Sequence, residues 1–382
     1  MSQSKKIVLV PSAYYPSFGG VEEIARNVAR RLQAAGHAVT IVVHRHPESL
    51  PQREIIDGVA VNRFRFMYPA RNLRTALSSL KGGMALAGLA SLFKQIKPDL
   101  VHVICPSTSS LYVWLACKIL NIPIVTTLQG ELFMDADAIY ERSSFARWAV
   151  NRLLEGSRHL TACSMFTLQH AEKMFDLRAI PRSVIFNGVD LAESEESVNE
   201  TKSEPFVFAI GRLVQNKGFD TLVNSFSAVV QVKPDAKLFI AGDGAARGDL
   251  EKLVKELGLS GSITFLGKID RPQVTWYFNH CEFFVLPSPC EPFGIVCLEA
   301  MRAGKAQVAT RNGGPPEFIQ DGIEGLLVPP NDPPNMAAAL LRLWSDTSAR
   351  ATMGAAALEQ VGKFDWSIIT QQYMTLYDAV SG

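Results

Sequence analysis

The sequence lacks paired cysteines, and it lacks a net charge that would attract nucleic acid. None of its six cysteines stands in a C-x-x-C pair, so the spacing predicts neither a zinc site nor a redox pair. In a chain of 382 residues, isolated thiols are typical of a reducing compartment. With a net charge of +1, we expect no nucleic-acid partner.

The apolar runs of the first hundred residues are too short for export or for a membrane span. The N-terminus holds only Ile7–Val10 as an apolar run, whereas a secretory signal needs a longer one. Met84–Phe93 is also too short to cross a bilayer. We therefore expect a cytoplasmic protein, with peripheral contact at the inner face of a membrane as an open alternative.

The two halves of the chain differ in charge although the whole is nearly neutral. Residues 1–190 hold 22 Lys and Arg against 14 Asp and Glu, a net charge of +8, and the remainder carries −7. Either the basic half meets an anionic surface or acceptor, or the two halves attract each other across a cleft. Both interpretations stay open.

Apolar runs alternate with helical patterns in two blocks, separated by the polar, linker-like stretch Ala192–Pro205. Such alternation predicts two doubly wound α/β domains, with ligands beyond the carboxyl ends of the strands. The predicted strands are Lys6–Val10, Val39–Val43, Val59–Phe66, Leu100–Ile104, Ile122–Thr127, Phe206–Ile210, Lys237–Ala241, Ile263–Leu266 and Phe283–Leu286.

Two helical segments have alternative interpretations. Asn72–Lys97 has basic ends and an apolar middle, and we expect it to pack on the N-terminal sheet rather than lie on a membrane surface. In the tail, Trp366, Ile369, Tyr373 and Tyr377 recur at helical spacing. Trp366 is therefore expected to pack and not to take part in catalysis.

The stretch from Glu291 to Glu299 supports the first hypothesis about a site. It follows the predicted strand Phe283–Leu286, and Gly294 can open a helix whose free backbone N–H groups bind an anion or a sugar hydroxyl. Carboxylates accept hydrogen bonds from hydroxyls, so both glutamates suit a nucleotide sugar. A capping glutamate and a surface glutamate are the alternative.

A basic turn, Gly211–Gly218, supports the second hypothesis. It comes directly after the predicted strand Phe206–Ile210. Arginine binds phosphate through two hydrogen bonds and lysine adds a point charge, so Arg212 and Lys217 suit a departing diphosphate. A solvated basic turn is the alternative.

Two further glycine motifs carry weaker signals. Gly19-Gly20 precedes a predicted helix, which indicates either an anion cradle or a tight turn. Gly242-Asp243-Gly244 begins a dinucleotide fingerprint, but Arg247 stands where the third glycine belongs. We therefore expect no nicotinamide cofactor.

Taken in order, these motifs resemble the retaining glycosyltransferases of family 4, the bacterial-type group 1 enzymes with the GT-B fold. The resemblance covers nearly the whole chain, and the ordered set is specific although each piece alone is weak. The matching residues are Gly19–Glu22, Asn187–Asp190, Gly211-Arg212, Lys217-Gly218, Gly242–Gly244, Pro287-Ser288, Glu291–Glu299 and Gly313–Glu317.

The resemblance implies two Rossmann-like domains that face each other across a cleft, with the last helix crossing back to the N-terminal domain. It assigns residues 1–190, with the helix 366–382, to an acceptor-binding domain. Residues 191–365 become the donor-binding domain. Family members retain the anomeric configuration and need no bound metal, so no cofactor is expected.

The resemblance also implies roles for individual residues. Arg212 and Lys217 bind the donor diphosphate and stabilise it as it leaves, and Glu299 binds the ribose hydroxyls. Glu291 holds the transferred sugar and completes the catalytic set with the two cations. The other residues expected at the donor are Gly19, Gly20, Gly211, Gly242, Phe293, Gly294 and Ile295.

One departure concerns the acceptor side, where many family members carry a histidine after the strand Ile122–Thr127. Gln129 occupies that place, and an amide binds a hydroxyl but cannot take a proton. Glu131 either faces the acceptor or is an ordinary loop acid, and we favour the loop acid. Asp135 and Asp137 are interpreted as a surface pair, since an oxygen-ligand metal site needs more than two ligands.

The expected reaction moves a sugar from a UDP- or GDP-sugar to a hydroxyl of a glycan, a lipid-linked or a small-molecule acceptor. The sequence leaves the base, the sugar, the acceptor and the oligomeric state undetermined. Alternative functions are a phosphorylase, a sugar-nucleotide epimerase, or a two-lobed sugar-binding protein without catalysis.

Overall fold

The computed structural model describes residues 4–17, 19–66, 75–134, 139–192 and 204–381, without the side chains of residues 75–81. Contacts divide the chain into two compact units. Unit 1 comprises Met1–Asn187 with Trp366–Gly382, and unit 2 comprises Gly188–Asp365. The sequence places the boundary three residues later, after Asp190. Of the predicted linker, residues 193–203 lie outside the described part.

Unit 1 contains a sheet with strand order β3-β4-β2-β1-β5-β6-β7-β8. Its neighbours are parallel except for β3 and β4, which are antiparallel. The strands are β1 Lys6–Pro11, β2 Ala38–His44, β3 Arg53–Ile56, β4 Val59–Phe64, β5 Leu100–Ile104, β6 Ile124–Leu128, β7 His159–Ala162 and β8 Arg182–Val184. The helices between them are α1 Gly20–Ala34, α2 Thr75–Ile96, α3 Ser110–Leu120, α4 Ile139–Arg142, α5 Ser144–Glu155 and α6 Met165–Met174.

Unit 2 contains a fully parallel sheet with strand order β11-β10-β9-β12-β13-β14. The strands are β9 Phe206–Ile210, β10 Lys237–Ala241, β11 Ile263–Gly267, β12 Phe283–Leu286, β13 Gln307–Thr310 and β14 Gly325–Val328. The helices are α7 Phe219–Val232, α8 Arg247–Glu256, α9 Arg271–His280, α10 Ile295–Arg302, α11 Pro333–Ser345 and α12 Thr347–Gln360.

The last helix, α13 (Trp366–Ser381), belongs to unit 1. It packs on α1 and β5, and its residues Trp366, Ile369, Tyr373 and Tyr377 are all buried. This confirms that Trp366 packs in the core. The predicted return of the last helix to the N-terminal domain is confirmed as well.

Both sheets are covered on two faces, which explains their nearly continuous apolar strands. Every residue of β5 and β6 is buried. In α2, the side chains of Leu89 and Phe93 share a core with Val8 and Val101 of the sheet. The described part of the segment Asn72–Lys97 therefore packs on unit 1, as predicted. No helix in the described residues is long and apolar enough to cross a membrane.

Each sheet has a switch point, where the first strand of the unit pairs with a strand that comes later in the chain than its other neighbour. In unit 1 it lies between β1 and β5, and in unit 2 between β9 and β12. In doubly wound folds, ligands bind beyond the carboxyl ends of the strands at such a switch point. The topology therefore predicts that ligands bind at the loops that follow β1, β5, β9 and β12.

Candidate active site

The loops after β9 and β12 meet at the switch point of unit 2. Gly211–Gly218 follows β9, and Pro287–Gly294 follows β12. Gly218 has a φ of +67°, and a Cβ added to it would clash with the carbonyl oxygen of Pro287. Only glycine permits this close approach. The basic turn and the acidic stretch that the sequence singles out thus lie side by side.

Lys217 and Glu291 form an ion pair across these two loops. Lys217 Nζ lies 2.7 Å from Glu291 Oε2, and their side chains are only 17% and 12% exposed. Solvent screens such a pair less than a surface pair, and loss of one partner would leave the other charge enclosed. The structure therefore joins two of the three residues that are expected to be catalytic.

The third expected catalytic residue, Arg212, lies on the same loop but is exposed. Within the described part of the chain, it is not joined to the Lys217–Glu291 ion pair. An exposed guanidinium keeps its five donors available for an incoming phosphate.

The N-terminus of α10 presents backbone groups at the same edge. Gly294 precedes the helix with a φ of +93°, a conformation that favours glycine, and Ile295 is the first helical residue. The ring of Phe293 is buried against Phe318, with centroids 5.0 Å apart. Only the backbone of Phe293 therefore remains to meet a ligand. The predicted helix start at Gly294 is confirmed, and its first N–H groups have no partner within the helix.

Glu299, one turn further along α10, is paired with an arginine that the sequence motifs do not include. Arg271 Nη1 lies 2.5 Å from Glu299 Oε1. The Glu299 side chain is 9% exposed, and that of Arg271 is 42% exposed. Because Arg271 is 28 residues away in sequence, only tertiary structure reveals this partner.

Other motif glycines bring the backbones of these loops together. A Cβ on Gly242, where φ is +121°, would clash with the carbonyl oxygen of Gly211. A Cβ on Gly313, where φ is +129°, would clash with the carbonyl oxygen of Glu291. Gly314 N–H donates to that same Glu291 oxygen at 2.8 Å. These glycines fix the backbone on which Glu291 and Arg212 are mounted.

In unit 1, Gly19 stands at the N-cap of α1 in an extended conformation. A Cβ on Gly19 would lie 2.8 Å from Glu22 Oε2, and Glu22 is 6% exposed. A carboxylate therefore already lies at this helix N-terminus, where the helix dipole favours a negative charge. An anion bound at Gly19-Gly20 would have to approach this carboxylate, and the expected contact of the two glycines with the donor stays a prediction.

Gln129 lies directly after β6 and pairs with Asn187. Each side-chain amide donates to the carbonyl oxygen of the other, at 3.0 and 2.9 Å. Asn187 is 2% exposed. Gln129, which stands where many family members carry a histidine, is thus held in place by Asn187. The sequence does not indicate this partner.

Glu131, which the sequence leaves as either an acceptor-facing residue or a loop acid, lies in the turn after β6 with a hydrogen-bonded carboxylate. Its Oε2 accepts a hydrogen bond of 2.7 Å from the backbone N–H of Gln129. Burial raises the pKa of Glu131 to about 7, although this backbone hydrogen bond opposes the shift. A carboxyl group that changes charge near neutral pH lies at the carboxyl edge of the unit 1 sheet.

Beneath this edge, a neutral histidine ties α13 to the sheet. His102 of β5 is fully buried, with Nδ1 2.6 Å from Tyr377 Oη and Nε2 2.6 Å from Thr127 Oγ1. Burial lowers the pKa of His102 to about 3. The ring therefore stays uncharged and acts as a bridge between hydroxyl groups.

Two family models match the chain in succession. The model for glycosyl transferases group 1 matches residues 191–360, and the model for glycosyltransferase family 4 matches residues 18–193. The chain belongs to the group 1 glycosyltransferases of family 4. The two matches meet close to the boundary between the units.

This glycosyltransferase is 29% identical to phosphatidyl-myo-inositol mannosyltransferase of Mycolicibacterium smegmatis, over 95% of this chain and 91% of that protein. Sucrose-phosphate synthase from Thermosynechococcus elongatus is similar in structure, with a TM-score of 0.82, 24% identity and 98% of both chains covered. The Anabaena protein HepE, solved with UDP-glucose, has a TM-score of 0.76 at 22% identity, over 98% of this chain and 100% of that one. These likenesses confirm the predicted GT-B fold class.

The glycosyltransferase keeps its expected polar residues in two groups, one in each unit. Unit 2 holds Lys217, Glu291 and Glu299 in ion pairs, with Arg271 as the partner that sequence reasoning missed. Among the described residues, no group of three His, Cys, Asp or Glu side chains could hold a metal ion. The pair Asp135 and Asp137 lies outside the described residues.

Proposed function

We propose that this glycosyltransferase moves a sugar from a UDP- or GDP-sugar to an acceptor hydroxyl, with retention of the anomeric configuration and without a metal ion. The observation that supports the proposal most is the enclosed Lys217–Glu291 ion pair at the switch point of unit 2. It offers a cation for a diphosphate and an oxygen acceptor for sugar hydroxyls within one contact.

In the proposed reaction, negative charge develops on the diphosphate as the bond to the sugar breaks. Lys217 stabilises this charge, and the exposed Arg212 adds a bidentate contact. The backbone N–H groups at the start of α10 lie at the same edge and favour an anion. Glu291 accepts hydrogen bonds from hydroxyls of the transferred sugar, and Glu299 accepts them from the ribose.

The relatives supply one example of an acceptor and one of a nucleotide sugar. The mycobacterial relative is named for mannosyl transfer to phosphatidyl-myo-inositol, and the Anabaena neighbour was solved with UDP-glucose. For this chain we propose a hydroxyl acceptor on a glycan, a lipid-linked or a small molecule. The residues of unit 1 proposed to bind this acceptor are Gln129 and Glu131. A cytoplasmic location and peripheral membrane contact stay predictions from the sequence.

A transfer assay tests the proposal. UDP- and GDP-sugars are incubated with acceptor mixtures in the presence of a chelator, and nucleoside diphosphate release is measured together with the anomeric proton coupling of the product. We expect acceptor-dependent release and the coupling constant of the donor. Activity that needs added magnesium would overturn the metal-free reaction. An epimerised donor would indicate a sugar-nucleotide epimerase instead of a transferase. Cleavage of the sugar substrate by inorganic phosphate would indicate a phosphorylase.

A further inference from the structure

The Arg271–Glu299 ion pair has an uneven environment. Glu299 is nearly enclosed at 9% exposure, whereas Arg271 is 42% exposed, and the contact engages Oε1 of the carboxylate. The ion pair with Arg271 avoids the free-energy cost of an enclosed carboxylate without a partner. A carboxylate has about four lone-pair sites, so Oε2 and the second lone pair of Oε1 can still accept hydrogen bonds from a ligand.

Helix α9 itself gives no reason for an arginine at this place. Arg271 is the first residue of α9, and the helix is already capped by Asp270, whose side chain accepts from Gln273 N–H while the Gln273 side chain returns the contact. A cation at a helix N-terminus is unfavourable because it meets the positive end of the helix dipole. The ion pair with Glu299 on α10 therefore gives Arg271 a role outside its own helix.

We infer that Arg271 is a positioning residue, which fixes the Glu299 carboxylate in the one orientation that binds the vicinal ribose hydroxyls of a nucleoside diphosphate. The inference rests on the proposed function, in which Glu299 meets the ribose. A guanidinium has planar, fixed donors, so a carboxylate paired with it loses rotational freedom before the ligand arrives. Binding then avoids the cost of ordering that side chain.

The test compares UDP and GDP with their 2′,3′-dideoxy forms, which lack both hydroxyls, by isothermal titration. For the wild-type protein we expect the natural nucleotide to bind roughly 10- to 100-fold more tightly, as hydrogen bonds to a charged group predict. Arg271→Ala should reduce this ratio to about threefold or less, since a disordered carboxylate binds hydroxyls poorly. The affinity for the dideoxy form should stay within about twofold.

Two further variants separate positioning from a structural role. Arg271→Lys keeps the charge but not the planar donors, so it should restore only part of the ratio. The matched control is Arg350→Ala, which removes another ion pair of unit 2, with Glu282. It should lower the melting temperature and leave the ratio unchanged.

The outcomes distinguish the inference from the function on which it rests. If the wild-type protein binds a nucleotide but Arg271→Ala weakens the natural and dideoxy forms equally, or neither, the inference is wrong and the proposed function stands. If the wild-type protein binds neither UDP nor GDP, the proposed function is overturned, and the inference falls with it. If the wild-type protein binds the natural and dideoxy nucleotides equally tightly, Glu299 does not bind the ribose hydroxyls and the inference is wrong.

Discussion

The carboxyl edges of the two sheets are built from different chemistry. In unit 2, the Lys217–Glu291 ion pair lies on loops that glycines hold together, and the Arg271–Glu299 ion pair joins α9 to α10. In unit 1, an amide pair and the raised-pKa carboxyl group of Glu131 lie at the edge. Charged pairs suit the diphosphate and ribose of any nucleotide donor, whereas neutral groups select hydroxyls by geometry. The difference explains why the sequence motifs concentrate in unit 2.

The largest expected effect tests the charged edge. Under the proposed function, Lys217→Ala removes the cation that stabilises the departing diphosphate, so turnover should fall roughly 100- to 1000-fold. The melting temperature should also fall, because Glu291 is left enclosed without its partner. The measurement is steady-state transfer with the donor found in the assay. The matched control is Lys252→Ala, whose side chain is 75% exposed on α8 and whose loss should leave turnover unchanged. Equal turnover in both variants would show that the ion pair is only structural.

The second prediction tests the glycine contacts beneath that edge. In Gly242→Ala, strain at a φ of +121° adds to the clash with Gly211, so unit 2 should lose roughly 3–4 kcal/mol of unfolding free energy. Gly258 is the matched control, because it has a φ of +71° and nothing within 4 Å of an added Cβ. Gly258→Ala should therefore cost only about 1–2 kcal/mol in the same urea titration. Equal losses would mean that the loop contact contributes nothing.

The third prediction concerns the neutral histidine of unit 1. Burial lowers the pKa of His102 to about 3 from an ordinary 6.5, so below pH 6.5 the unfolded state binds a proton that the folded state does not. Stability then falls as the pH drops, by about 3 kcal/mol between pH 6.5 and 4. In His102→Gln this part of the pH dependence should vanish. Hydrogen exchange of the β5 and β6 amides measures it, and identical pH profiles for the two proteins would contradict it.

The smallest effect has the opposite sign and concerns Glu131. Its pKa is raised by burial to about 7 from an ordinary 4.5, so between these values the folded state holds a proton that the unfolded state has lost. Stability therefore falls as the pH rises, by about 2 kcal/mol between pH 5 and 6.5. Glu131→Gln lacks this titration, so its stability relative to the wild-type protein should rise by the same amount between pH 5 and 6.5. A gain that does not change with pH would show that Glu131 is already ionised.

Periodicity was sufficient to predict strands that are long and apolar, such as β1 and β9, since burial on both faces leaves a continuous apolar run. It missed β3, β7, β8, β13 and β14, each of which is only three or four residues long. None of them carries an apolar run long enough to be distinguished from a loop.

The candidate site also has a part that the sequence predicts and a part that only the structure shows. Lys217 and Glu291 could be selected from the sequence because each belongs to a motif that follows a predicted strand. Their contact, and the partners Arg271 and Asn187, could not. These pairs join residues 28 and 58 positions apart, and only the strand order brings such residues together. The hydrogen bond from Gln129 N–H to Glu131 and the raised pKa of Glu131 are likewise properties of the folded edge.

We propose that the charged edge of unit 2 binds a nucleoside diphosphate without a metal ion. Isothermal titration of the protein with UDP, GDP and ADP in the presence of a chelator tests this binding. We expect one of these nucleotides to bind selectively and Lys217→Ala to weaken its binding. If none binds, or if binding appears only after magnesium is added, the assignment of Lys217 and Arg212 to the diphosphate is contradicted.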